Sequence, residues 1–94
     1  MAYRITYTKR FEKHYKKMTP VEKKQIKSKV GILAENPLHP SLRTKRIQGM
    51  DKLFECSVNM DIRIIWYYEG DELIMFWMWD ITTYWNGYRY GHQL

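Results

Sequence analysis

The sequence predicts an α+β domain in which an N-terminal strand and an α-helical hairpin precede a mainly antiparallel four-stranded sheet. The hydrophobic period changes from two to that of a helix after Tyr7 and returns to two beyond residue 41. Pro37 and Pro40 separate the helical part from the strand-rich part. A length of 94 residues allows one such domain, residues 1–94, with a single core.

Alternation and helical spacing define the first two elements. Tyr3, Ile5 and Tyr7 alternate with polar residues, which predicts a half-buried strand. Phe11, Tyr15 and Met18 then fall at i, i+4 and i+7, one face of a helix that starts after Thr8.

The second helix has a start signal in its sequence. Thr19-Pro20-Val21-Glu22 is a capping box with proline at the first helical position, and Asn36-Pro37 marks the end. Its apolar stripe is Ile26, Val30 and Leu33.

The sequence between residues 42 and 79 predicts strands that are joined by short turns. The predicted strands cover residues 42–47, 53–58, 62–68 and 72–79. The last stretch, residues 81–94, is rich in aromatic residues and glycine, and its pattern predicts no definite element.

Positive charge is concentrated in the first half of the chain. Residues 1–50 contain 13 Lys/Arg and 3 Asp/Glu (net +10), and residues 51–94 contain 3 and 7 (net −4), which together give +6. A basic surface attracts polyanions, so RNA, DNA and an acidic protein are the candidate partners. Charge alone does not choose among them.

The sequence favours a cytoplasmic protein with no membrane contact. Cys56 is the single cysteine, so it has no internal disulfide partner. The basic N-terminal region lacks an apolar run of signal-peptide length, and the most apolar stretch, residues 73–79, is too short to cross a bilayer.

Arg63 is the residue that points most directly to chemistry. If Ile62, Ile64 and Trp66 face the helices, Arg63 lies on the opposite face among large apolar groups. A desolvated guanidinium needs either a bound anion or an acidic partner, for which Asp61 and Glu55 are available. A structural role, in which the guanidinium reaches solvent or pairs with one of these carboxylates, is favoured over a phosphate site.

Three further cations crowd one short segment. Alternation places Arg43 and Lys45 on one face of the predicted strand and Arg46 on the other. Such a cluster could neutralise backbone phosphates or could simply protect an exposed sheet edge from aggregation. The two interpretations carry equal weight.

The sequence predicts no cofactor and no metal. His14, His39 and His92 show no ligand spacing with one another or with Cys56. The helical lysines read as an ordinary solvated surface, and Trp66, Trp77 and Trp79 as core.

Several of these segments together resemble the RelE/ParE superfamily, bacterial toxins of type II toxin–antitoxin systems. The resemblance is carried by residues 37–44 (PLHPSLRT), Gly49, residues 53–55 (LFE), residues 61–66 (DIRIIW) and the closing residues 80–89. It covers essentially the whole chain and implies the same strand and helix order.

The resemblance implies a metal-independent, ribosome-dependent mRNA endonuclease. Arg63 falls on the strand arginine that RelE-like ribonucleases place at the scissile phosphate, and Tyr84 or Tyr88 would handle protons. The residues expected to hold RNA are Arg43, Lys45, Arg46, Lys52 and Arg89. The implied partners are mRNA, the ribosome and a cognate antitoxin with an acidic, partly disordered segment.

Two alternatives remain open within the same resemblance. Tyr84 stands where the family usually has histidine, which suits a ParE-like toxin that inhibits DNA gyrase without an enzymatic activity. A degenerate toxin that only binds its antitoxin is the other.

Overall fold

The computed structural model describes residues 2–80, in which two helices and five strands follow one another as β1-α1-α2-β2-β3-β4-β5. A short 3-10 turn, Pro40–Leu42, precedes β2. The elements are β1 (Arg4–Tyr7), α1 (Lys9–Lys16), α2 (Pro20–Glu35), β2 (Lys45–Arg46), β3 (Phe54–Ser57), β4 (Ile62–Glu69) and β5 (Glu72–Asp80). The predicted α+β class and element order are confirmed.

The strands form one sheet in the spatial order β1-β5-β4-β3-β2. The four strands after the helices pair antiparallel, and β1 pairs in parallel with β5. The sheet therefore has five strands rather than the predicted four, because β1 joins the edge beside the last strand. β4 and β5 form a long hairpin with a bulge at Ile65/Trp66.

Side chains from both helices and from one face of the sheet form the core. The helical stripe Ile26, Val30 and Leu33 is buried as predicted, together with Phe11 of α1. The strand residues in the same cluster are Cys56, Ile62, Ile64, Trp66, Leu73, Met75 and Met78. One face of the sheet is thus covered by helices, and the residues that alternate with this set lie on the other face.

Side-chain caps fix where the helices begin. Thr8 Oγ1 accepts a hydrogen bond from Phe11 N (3.1 Å) and donates one to Phe76 O of β5 (2.6 Å), which ties α1 to the sheet. The predicted capping box of α2 is present, with reciprocal bonds between Thr19 and Glu22. Neither helix in residues 2–80 is long and apolar enough to cross a bilayer.

Candidate functional site

The turn between β3 and β4 positions Arg63. Asn59 Oδ1 accepts hydrogen bonds from the backbone N–H groups of Asp61 and Ile62, both at 2.8 Å, and so closes the turn. Ile62 begins β4 with its side chain in the core, so the next residue, Arg63, lies on the opposite face across from Ser57. This placement agrees with the predicted alternation.

The Arg63 guanidinium is held on two of its nitrogens. Nη1 donates to Asn59 O (2.7 Å) and to Ile62 O (3.2 Å). Nε lies 3.7 Å from Glu55 Oε2, and the two side chains are 18% and 17% exposed. Glu55 is therefore the acidic neighbour among the two that the sequence offered. The ion pair is longer than a direct hydrogen bond, so the guanidinium still has donor capacity for an anion.

Arg63 opens into a cleft of about 320 Å³ between the β3–β4 turn, α2 and the 3-10 turn. Three cationic side chains converge there, since Arg63 is joined by Arg43 and by Lys29 of α2. The other lining residues are Ser41, Ser57, Val58, Asn59 and Met60. Two guanidinium groups, an ammonium and hydroxyl donors suit a phosphate or another small oxyanion.

Arg43 reaches the cleft from a bend in the backbone. His39 Nδ1 accepts a hydrogen bond from Ser41 N (3.1 Å) at the start of the 3-10 turn, and Arg43 ends that turn with φ 50°. The predicted strand over residues 42–47 is wrong for its first part, because Pro40 and the left-handed Arg43 prevent extended pairing. Only Lys45 and Arg46 pair with β3.

The structure separates the other predicted cations. Lys45 Nζ lies 3.9 Å from Glu55 Oε2, which places it beside Arg63 on the same sheet face. Arg46 lies on the opposite face with its guanidinium 5.3 Å from the Phe54 ring centroid. Lys52 is exposed in the β2–β3 turn, at the end of β3 opposite to Ser57. Of the predicted RNA-binding residues that the structure describes, Lys45, Arg46 and Lys52 do not line the cleft, whereas Arg43 does.

Three predicted site residues are not among those that the structure describes. Tyr84, Tyr88 and Arg89 belong to residues 81–94, and their roles stay predictions.

Lys29 is the site residue that sequence reasoning missed. Its Nζ donates to Ser41 O (3.4 Å), which brings α2 against the 3-10 turn at the edge of the cleft. The helical period placed Lys29 outside the buried stripe, but the contact with Ser41 is between distant segments and no local pattern predicts it.

Burial shifts the pKa of two further titratable side chains, His14 and Cys56. Trp77 Nε1 donates to His14 Nε2 (3.2 Å), and burial together with Lys17, Arg10 and Lys13 lowers the pKa of His14. Burial, followed by the charge of Glu55, raises the pKa of the Cys56 thiol to about 12, so it is a core residue rather than a nucleophile.

No group of three or more His, Cys, Asp or Glu side chains within residues 2–80 is arranged to hold a metal ion.

Comparisons with known proteins identify the fold. No family model matches the chain, and no curated protein matches its sequence. Its structure superposes on RelE from the archaeal RelE–RelB complex of Pyrococcus horikoshii with a TM-score of 0.72 at 15% identity, covering 86% of this chain and 97% of that one. The chain has a RelE-like fold.

Two other solved structures give the same result. The RelB–RelE complex of Methanococcus jannaschii matches with a TM-score of 0.72 at 19% identity, over 88% of this chain and 98% of the other. The E. coli DinJ–YafQ complex matches with a TM-score of 0.67 at 16% identity, over 88% and 97%. The resemblance seen in the sequence is thus confirmed at the level of the RelE-like fold.

Proposed function

We propose that this chain is the toxin of a type II toxin–antitoxin system and that it cleaves messenger RNA on the ribosome. The observation that carries the proposal is the convergence of Arg63, Arg43 and Lys29 in one cleft. A phosphodiester is the anion most suited to two forked donors and an ammonium placed together. The RelE-like fold supports the same reading, since the M. jannaschii and E. coli structures that share it are toxin–antitoxin complexes.

The proposed reaction uses the 2′-hydroxyl of the RNA itself. Its oxygen attacks the adjacent phosphorus, the bond to the 5′-oxygen breaks, and a cyclic phosphate and a 5′-hydroxyl result. Arg63 would bind the non-bridging oxygens and stabilise the negative charge that builds up on them, often the largest contribution to catalysis. Arg43 and Lys29 would hold the phosphate in place.

Proton transfer is assigned to tyrosine in this proposal. Tyr84 or Tyr88, as a phenolate, would accept the proton of the 2′-hydroxyl and then return it to the leaving 5′-oxygen. An ordinary tyrosine has a pKa near ~10, so a neighbouring cation such as Arg89 or Lys45 would be needed to stabilise the phenolate. Arg46 and Lys52, which lie away from the cleft, would at most contact flanking phosphates.

Expression of the wild type and of Arg63→Ala in a bacterium, with mapping of transcript ends, tests the nuclease. The wild type should arrest growth and create new ends, and Arg63→Ala should do neither. Arg4→Ala is the matched control, because Arg4 is an exposed arginine that pairs with Asp71 and Glu72 at the opposite edge of the sheet. Equal cleavage by wild type and Arg63→Ala would contradict the assignment.

The proposed system includes a protein antitoxin. The P. horikoshii and E. coli structures that match this fold are complexes with RelB and DinJ respectively. An acidic, partly disordered segment would suit a chain of net charge +6. Co-expression with the products of adjacent genes tests this, and failure of every neighbouring product to co-purify would contradict it.

One observation favours a second candidate function. Glu55 beside Arg63 reduces the positive potential of the cleft, which suits a toxin that acts without cleaving RNA. Such a protein would inhibit DNA gyrase instead. Inhibition of supercoiling by the purified chain, without new RNA ends, would support this candidate and contradict the nuclease.

A further inference from the structure

The outer face of α2 forms a second concavity beside the cleft. An open groove of about 610 Å³ lies between this helix and Val58. Its helical lining residues are Val21, Lys24, Gln25, Ser28 and Lys29. They repeat at three- and four-residue intervals and so occupy one face of the helix, away from the buried stripe. Lys24 and Ser28 are exposed.

The groove and the cleft lie side by side. Lys29 and Val58 line both of them. Asn59 Nδ2 donates to Gln25 Oε1 (2.8 Å), which fixes α2 against the β3–β4 turn where the two meet. The path from Arg63 to the start of α2 is therefore held by contacts between the elements that form it.

The charged side chains that line this path are all cationic, and Glu55 lies beside Arg63 without lining the cleft. Lys24, Lys29, Arg43 and Arg63 line the two concavities, and no carboxylate lines either in the described residues. Lys24 and Lys29 are about 7.5 Å apart along the helix axis, at 1.5 Å per residue. Repeated cations at such a spacing suit consecutive phosphates better than a single small anion.

We propose that the α2 groove binds the nucleotides that flank the phosphate in the cleft, with Lys24 contacting a second phosphate. This rests on the proposed RNA-cleaving function and assigns the direction in which the strand leaves Arg63, across the first half of α2. The ligand class is single-stranded RNA that extends beyond the phosphate bound in the cleft.

Lys27 provides a matched control on the same helix. It is exposed like Lys24 and three residues away, but it lines a different groove, between α1 and α2, together with apolar residues and Glu12. Lys24→Gln and Lys27→Gln therefore remove the same charge from residues that line different grooves. Neither position is in the core, so both variants should fold, which thermal unfolding would verify.

The probes are an oligoribonucleotide of about ten nucleotides, 2′-O-methylated to prevent cleavage, and a dinucleotide of the same chemistry. Lys24→Gln should weaken binding of the longer probe about fivefold at 0.1 M salt and reduce the slope of log K against log salt by about 0.7. Binding of the dinucleotide should not change. Lys27→Gln should leave both affinities within about twofold, because it loses only long-range attraction.

The outcomes separate the two proposals. Equal effects of Lys24→Gln and Lys27→Gln, with binding still lost in Arg63→Ala, would overturn the groove and leave the cleft as the RNA site. Binding that is unchanged in Arg63→Ala as well would overturn the proposed function too. If Lys24→Gln weakens binding of the longer probe and leaves the affinity for the dinucleotide unchanged, the result supports RNA binding in the α2 groove.

Discussion

Replacing Glu55 by glutamine should tighten the binding of RNA to the cleft. Glu55 Oε2 lies 3.7 Å from Arg63 Nε and 3.9 Å from Lys45 Nζ, so it neutralises charge that a phosphate would otherwise meet. Arg63 keeps its two backbone acceptors in the variant, because Asn59 O and Ile62 O do not depend on Glu55. The guanidinium should keep its orientation while the site becomes more positive.

The size of the effect follows from the separation of the charges. A phosphate bound at the far edge of the guanidinium would lie about 7 Å from the carboxylate of Glu55. At an effective dielectric constant of about 40, intermediate because both side chains are partly exposed, the repulsion is about 1 kcal/mol. Its removal corresponds to an approximately fivefold lower Kd.

Fluorescence anisotropy with the 2′-O-methylated oligoribonucleotide measures this directly. Glu69→Gln is the control, because Glu69 is an exposed carboxylate at the other end of β4 and the substitution changes the net charge equally. Weaker or unchanged binding by Glu55→Gln would refute the reasoning, since it would mean that the carboxylate orients Arg63 rather than competes with the anion.

Three further predictions concern the scaffold. Thr19→Ala should lower the free energy of unfolding by about 1 kcal/mol in urea titration, because the capping box of α2 is lost, and an unchanged midpoint would contradict this. The pKa of His14 is lowered from its ordinary 6.5, so the unfolded chain binds more protons and stability should fall as pH drops below about 6.5. Urea titrations at pH 5 and pH 7.5 should show a smaller difference for His14→Gln than for the wild type, and an equal difference would argue against His14. Cys56 is fully buried with a pKa of about 12, so mass spectrometry should find it unmodified by iodoacetamide in the native protein and alkylated after unfolding.

The helical half was predictable because its signals are local. The spacing of Ile26, Val30 and Leu33 defines the buried face of α2, and Thr19 with Glu22 defines its start. The β4–β5 hairpin around Gly70 was equally predictable from alternation in the sequence and from the turn residues that join its strands.

The sheet was less predictable because its pairing joins distant segments. Ile5 pairs with Leu73, and nothing near either residue indicates that β1 would add a fifth, parallel strand. β2 is shorter than predicted because residues 40–42 form the 3-10 turn. In that turn Ser41 N donates to His39 Nδ1, although the sequence after it has the alternation of a strand.

The residues of the candidate site also differ in how far local sequence predicts them. Arg63 was recognisable because an arginine in an apolar strand requires a partner, and Glu55 was one of the two partners considered. Lys29 was not recognisable, because its role depends on α2 reaching the 3-10 turn. His14 had no visible partner in sequence either, since Trp77 is 63 residues away.

Arg43 combines a strained backbone conformation with a place in the cleft. It is the one non-glycine residue within residues 2–80 with a positive φ, a conformation that costs L-residues roughly 1–2 kcal/mol. Arg43→Gly would relieve that strain and at the same time remove a cation from the cleft. Under the proposed function, this substitution would lower toxicity without weakening the fold, whereas most inactivating substitutions weaken it. Well-folded glycine variants at this position should therefore occur among clones that survive overproduction.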